Sequence, residues 1–116
     1  MNLDLSTGKI SLVLCPTDLR CGFDRLSAMA IKYLNIDISK NDDWVVFVSK
    51  TRRVAKIIHS DDSGGLMIVR RLHRGCYQRL MSEASTPASK QLTKEVLLKY
   101  LDGYPIEFKR EHFLYK

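Results

Sequence analysis

The residue types that most often carry chemistry are scattered along this sequence rather than gathered in one motif. His73 and Cys76 have the spacing of two zinc ligands, but a zinc site needs three or four such groups and no second compact pair occurs. No serine stands in a nucleophile elbow, and phosphate loops and dinucleotide fingerprints are missing. We therefore expect no catalytic residue, no metal site and no cofactor.

The acidic residues give the same expectation. Asp18 and Asp24 could bind a metal in a nuclease, but the sequence offers no obvious third carboxylate to complete such a site. The acidic and glycine residues of segment 61–65 (DDSGG) lack the spacing of a calcium loop and are typical of a hairpin turn. An enzymatic function is therefore the least favoured class.

Positive charge is concentrated in the middle of the chain. Residues 50–79 carry eight Lys or Arg against two Asp, whereas residues 1–49 carry five against six. Arginine pairs with phosphate in a bidentate way, so a polyanion such as DNA is the expected partner. The simpler alternative is a solvated basic face that only favours solubility. The candidate nucleic-acid-binding residues are Lys50, Arg52, Arg53, Lys56, Arg70, Arg71 and Arg74.

A second candidate site is the segment from Thr17 to Asp24, which joins the first predicted strand to the first predicted helix. Thr17, Asp18 or Asp24 could cap the backbone amides at the helix start. Arg20 could instead add to an anion site at those amides. The residues alone leave both interpretations open.

The elements that must position these residues are visible in the hydrophobic pattern. Apolar and β-branched runs predict strands near 9–14, 43–49, 54–60 and 66–72, and the last three form an antiparallel meander. Apolar spacing predicts a helix near 23–35, and Thr93 can cap a second helix near 94–102 that ends before Gly103.

These elements predict an α+β fold. We expect an antiparallel sheet of about four strands with two helices packed on one face. Neither face of the strand 66–72 is wholly polar, which leaves open partial cover on the other face. If strands 54–60 and 66–72 pair across the turn at 61–65, the basic residues near 50–53 and 70–74 form one patch at one sheet end.

Length and composition indicate a single domain over residues 1–116, with a core at about 9–103, a flexible segment at about 82–89 and an extension at 104–116. No apolar run reaches the length of a membrane span, and no signal-peptide pattern precedes the first strand. Three cysteines without a CxxC pair argue against a disulfide framework. We therefore expect a cytoplasmic protein without a membrane partner.

Four motifs in a fixed order resemble one protein family. They are TDLRxGFDxL from Thr17, FVxK with two following arginines from Phe47, KIIxxDxxG from Lys56 and RRLxRG from Arg70. Together they resemble the TnpB (Orf-two-like) accessory family of insertion-sequence-sixty-six transposable elements, over about residues 9–103. Cys76 departs from the aromatic residue that is usual after the glycine. The matching positions of the first motif include Thr17, Asp18, Arg20, Gly22, Phe23 and Asp24.

The resemblance implies a small bacterial protein of a mobile element, encoded beside a separate transposase that carries the catalytic residues. Two functions remain open. The protein could bind DNA with low sequence specificity through its basic residues and assist the transposase. Alternatively, the same residues could dock on an acidic surface of the transposase or of another accessory subunit without touching DNA.

Overall fold

The computed structural model describes residues 8–14, 17–78 and 89–105. The described part has the predicted α+β character, with five strands in one sheet ordered β4-β3-β2-β1-β5. The elements in chain order are β1 (Ile10–Val13), α1 (Phe23–Leu34), α2 (Ile38–Asn41), β2 (Trp44–Val48), β3 (Val54–Asp61), β4 (Gly64–Arg71), β5 (Ser89–Leu92) and α3 (Lys94–Leu101).

The sheet is mixed, so the prediction of a purely antiparallel sheet of about four strands was wrong. β1 and β2 run parallel, with Ile10 opposite Trp44, because the helical crossover through α1 and α2 returns the chain to the same end of the sheet. All other neighbouring strands are antiparallel. The fifth strand, β5, pairs with β1 and begins at Ser89, inside the segment expected to be flexible.

The two predicted hairpins are confirmed. β2 pairs with β3 and β3 with β4, and the second register runs without interruption from Val54 opposite Arg71 to Asp61 opposite Gly64. Asp61 Oδ1 fixes the tight turn between β3 and β4 by accepting hydrogen bonds from the backbone N–H groups of Ser63 (2.8 Å) and Gly64 (3.1 Å).

Each face of the sheet carries its own hydrophobic core. The prediction that the helices pack on one face was therefore wrong. Every residue of β2 is buried, which requires cover on both sides. One core joins alternate residues of the sheet to α3, including Val46, Ile57, Leu97 and Tyr100. The other joins the remaining face to α1 and α2, including Phe47, Ile58, Leu26, Ala30 and Ile38.

Three of the four ends of α1 and α3 follow local signals. Thr93 Oγ1 accepts from the backbone N–H of Val96 at 3.2 Å, and Gly103 follows α3 with a φ of 90°, as predicted. The last residue of α1 is followed by Asn35 in the left-handed conformation. However, α1 starts after Gly22, which provides no side-chain cap, and the Asp18 carboxylate accepts from the backbone N–H of Arg20, ahead of the helix.

Two predicted regions fall mainly outside the described residues: segment 82–88 and the extension beyond residue 105. Among the helices that the structure does describe, none has both the length and the apolar character needed to cross a membrane.

Candidate nucleic-acid interface

The predicted site residues converge on one end of the sheet. The N–H of Thr17 donates to the carbonyl oxygen of Val48 at 2.8 Å, which ties the segment 17–24 to the β2–β3 turn. The N–H of Leu72, just beyond β4, donates to the carbonyl oxygen of Arg53 at 2.9 Å. The first motif, the turn at 49–53 and the end of β4 are therefore neighbours, and the predicted strand pairing accounts for the last two.

The β2–β3 turn has a fixed shape that projects its basic side chains. Ser49 Oγ accepts from the backbone N–H groups of Arg53 and Val54, both at 3.2 Å. Arg52 adopts a φ of 59°, a left-handed conformation that reverses the chain. Lys50 and Arg53 are exposed, and Arg52 is half-buried. The turn thus presents positive charge on a backbone that is held by hydrogen bonds.

The arginines of β4 point to opposite faces of the sheet. Arg71 lies opposite Val54 on the α1 face, whereas Arg70 lies opposite Ala55 on the α3 face. Arg70 is engaged at the end of α3, where its guanidinium donates to Asp102 Oδ1 at 2.9 Å and to the carbonyl oxygen of Leu101 at 3.3 Å. The expected single patch is therefore divided between the two faces.

Lys56 is turned into the protein rather than toward a ligand. Its Nζ donates to the carbonyl oxygens of Leu19 (2.7 Å) and Cys21 (2.9 Å), and the residue is half-buried. This side chain holds the segment between β1 and α1 against the sheet. A phosphate contact through Lys56 would require breaking both hydrogen bonds, which sets Lys56 apart from the exposed lysine and arginines of this region.

Arg20 and Asp18 form an exposed ion pair. Asp18 Oδ1 accepts from the backbone N–H and the Nε of Arg20, both at 3.0 Å, and Oδ2 accepts from Nη2 at 2.9 Å. These hydrogen bonds hold the pKa of the Asp18 carboxyl far below its ordinary value and raise the pKa of Arg20. The positive charge of Lys50 also lowers the pKa of Asp18.

Two open grooves share the wall formed by Thr17, Asp18 and Arg20. The smaller, of about 380 Å³, runs to Lys50 and the β2–β3 turn. The larger, of about 670 Å³, runs along one side of α1, whose contributing residues are Arg25, Ala28, Met29, Lys32 and Tyr33. Sequence reasoning missed Arg25 and Lys32. Their shared face was detectable, because residues 25, 28, 29, 32 and 33 have the spacing of one side of a helix.

The grooves, the turn and the β4 end all lie within a region matched by a known family model. A model described as IS66 Orf2 like protein matches residues 8–111. This chain belongs to the IS66 Orf2-like family. The resemblance inferred from the four motifs is confirmed over a slightly longer range. No curated protein and no solved structure matches the chain.

The described histidines of this IS66 Orf2-like protein, His59 and His73, belong to no group of three or more metal-ligating side chains. His59 is buried, with Nδ1 3.0 Å from the carbonyl oxygen of Asp43 and Nε2 3.2 Å from Asp42 Oδ1. His73 and Cys76 are exposed. Within residues 8–14, 17–78 and 89–105, no cluster of three or more His, Cys, Asp or Glu side chains could hold a metal ion.

Proposed function

We propose that this IS66 Orf2-like chain is a non-catalytic transposition accessory protein that binds DNA and assists a separate transposase. The binding surface is the basic end, a name used here for Lys50, Arg52, Arg53, Arg71 and Arg74. The observation that supports it is the meeting of the β2–β3 turn with the end of β4, through the hydrogen bond from Leu72 to Arg53.

Four of the five charges of the basic end are available for a partner. In the described residues, the side chains of Lys50, Arg53, Arg71 and Arg74 have no hydrogen-bonding or ion-pairing partner, and all four residues are exposed. Gathered like charges repel one another, which a polyanion would relieve. Arginine and lysine contacts to phosphate give affinity without sequence specificity, so binding to many DNA sequences follows.

The larger groove can extend this surface along α1. Arg25 and Lys32 line it, and Arg20 stands where the two grooves meet. A DNA backbone that contacts Lys50 could therefore continue past Arg20 toward Lys32.

The test is a mobility-shift assay titrated with salt, with element-end DNA and scrambled DNA, each with and without the transposase. A Lys50→Gln, Arg53→Gln, Arg71→Gln, Arg74→Gln variant should bind DNA more weakly. The slope of log K against log salt should become shallower by about one for each phosphate that the variant no longer binds. The matched control is Lys9→Gln, Lys40→Gln, Lys94→Gln, Lys99→Gln, which removes the same charge from exposed positions elsewhere.

The two quadruple variants have equal net charge, so a difference between them reports the position of the charge. Equal DNA affinity and equal salt slopes would contradict the proposal. Binding of the transposase by the parent protein, with no DNA shift at any salt concentration, would instead support the protein-interaction module.

A further inference from the structure

Strand β4 forms an edge of the sheet and is long for an edge strand. It has eight residues, Gly64–Arg71, and within the described chain its only strand partner is β3. Protein edges are usually protected by short strands, charges or proline. The edge strand β5 has four residues and includes Lys90, whereas the first six residues of β4 (GGLMIV) contain neither a charge nor a proline.

The hydrogen bond from Leu72 to Arg53 shows which backbone groups of β4 face outward. In an antiparallel pair, alternate residues turn their N–H and C=O groups toward the partner. Leu72 continues the register of β4 on β3. The backbone N–H and C=O groups of Leu66, Ile68 and Arg70 therefore also point toward β3. The backbone groups that point to the open edge are therefore those of Gly65, Met67, Val69 and Arg71.

The charges at the two ends of β4 are opposite. Asp61 and Asp62 precede the strand, and Arg71 and Arg74 lie at its end and just beyond it. A second β4 in the antiparallel direction brings Arg71 and Arg74 of each copy beside the turn that carries Asp61 and Asp62 in the other copy. The surface is thus complementary to itself at both ends, which favours a second copy of this chain over an unrelated strand.

We propose that two copies of this chain pair antiparallel through their β4 edges, with Ile68 on the two-fold axis. Residues whose backbone groups point to the open edge must pair with one another across the two copies. The two-fold axis must therefore pass through a residue and not between two residues. Centring on Ile68 places Val69, which is 52% exposed, opposite Met67 of the second copy. Centring on Met67 would place Val69 opposite a glycine, which offers no side chain to pack against.

The first experiment measures the mass of the full chain by sedimentation equilibrium over a range of concentrations. The parent should dimerise, and Val69→Pro should raise the dimer dissociation constant about thirtyfold, because it removes two outward hydrogen bonds per dimer. The matched control Val69→Thr keeps the N–H and should dimerise like the parent. Val69→Lys is a second edge variant that keeps the N–H and adds a charge, and it should also weaken the dimer.

The second experiment tests the register by oxidation, with Cys15, Cys21 and Cys76 replaced by Ser. Ile68→Cys should form an intermolecular disulfide, because facing Cα atoms in a non-hydrogen-bonded pair are about 4.5 Å apart, within the disulfide range. Leu66→Cys lies on the same face of β4 but opposes Arg70 of the second copy, so it should not cross-link.

A parent protein that stays monomeric at all accessible concentrations overturns the proposal, including the case in which residues 106–116 of the same chain cover β4. A dimer that neither Val69→Pro nor Val69→Lys weakens overturns it as well. Equal cross-linking of the two cysteine variants overturns the register. None of these measurements involves DNA, so their outcome is separate from that of the proposed function.

Discussion

The ammonium group of Lys56 lies 2.7 Å from the carbonyl oxygen of Leu19, and this contact links the sheet to the segment between β1 and α1. A second bond reaches the carbonyl oxygen of Cys21 at 2.9 Å. A lysine inside the basic region thus stabilises the loop that forms the groove wall.

We expect Lys56→Met to lower the free energy of unfolding by roughly 1–3 kcal/mol, because two half-buried carbonyl groups lose a charged donor. Lys50→Met is the matched control, since Lys50 is exposed, and it should change stability by less than about 0.5 kcal/mol. Urea unfolding followed by circular dichroism measures both. Equal effects of the two substitutions would show that the Lys56 hydrogen bonds contribute no stability.

The ring of Phe23 lies against the backbone of Gly65, in the space that a side chain at residue 65 would occupy. A Cβ at residue 65 would meet Phe23 Cζ at 2.4 Å, well inside van der Waals contact. Gly65→Ala should therefore destabilise the protein by about 1–3 kcal/mol through overpacking. Phe23→Leu should relieve part of this cost, giving a coupling of at least about 0.5 kcal/mol in a double-mutant cycle.

Gly22→Ala is the control for this cycle, because a Cβ there would meet nothing within 4 Å. It should cost less than about 1 kcal/mol, the preference for glycine over alanine at a helix N-cap. If the two alanine substitutions cost the same and the cycle shows no coupling, the contact between Phe23 and Gly65 does not explain the glycine.

His59 is a structural residue between Trp44 and the end of the helical crossover. Its ring stacks on Trp44 with centroids 3.8 Å apart, and its two nitrogens face oxygens of Asp42 and Asp43. His59→Phe keeps the stacking but removes both polar interactions, so it should lower the unfolding free energy by about 1–3 kcal/mol.

Asp42→Asn is the corresponding control, because the Asp42 side chain is 46% exposed and its interaction with His59 is screened by solvent. It should cost no more than about 1 kcal/mol. Chemical denaturation of both variants compares them. If Asp42→Asn lowers the free energy of unfolding as much as His59→Phe does, the structural role assigned to His59 is contradicted.

We expect Tyr77 and Tyr100 to make the folded protein sensitive to alkali. Their rings stack with centroids 4.9 Å apart, and burial raises the pKa of both phenols. A raised pKa in the folded state means that the folded protein holds these protons more tightly than the unfolded chain does. The resulting stability is present below about pH 10 and is lost as the pH rises through the pKa values of the folded state.

Tyr100→Phe should therefore shift the alkaline unfolding midpoint to higher pH, while Tyr104→Phe, at a residue that is 62% exposed, should leave it unchanged. Far-ultraviolet circular dichroism during a pH titration gives the midpoint, and absorbance near the phenolate band reports ionisation. Identical midpoints for the parent and Tyr100→Phe would be evidence against a role for this phenol.

The parts of the fold that local chemistry determines were predictable from the sequence. The turn at 61–65, the cap at Thr93 and the end of α1 near Asn35 each depend on residues a few positions apart. Strand β5 was missed because its Ser-Lys-Gln-Leu sequence has little strand preference of its own, and pairing with β1 determines its conformation.

The candidate site was predictable in location but not in detail. Charge density indicated the β2–β3 turn and the end of β4, and their pairing joins them as expected. Sequence alone could not separate Lys56 from Lys50, because a lysine that donates to distant carbonyls and one that faces solvent have the same local pattern. Likewise, the sequence could not show that Arg70 pairs with Asp102, which lies 32 positions further along the chain.

The placement of β1 between β2 and β5 has a consequence during protein synthesis. On a ribosome, β1 emerges first and gains its parallel partner when β2 follows, but its other edge stays open until Ser89–Leu92 has left the exit tunnel. An open apolar strand is a site for pairing between nascent chains. Messages truncated before codon 89 should therefore yield products that aggregate or are degraded.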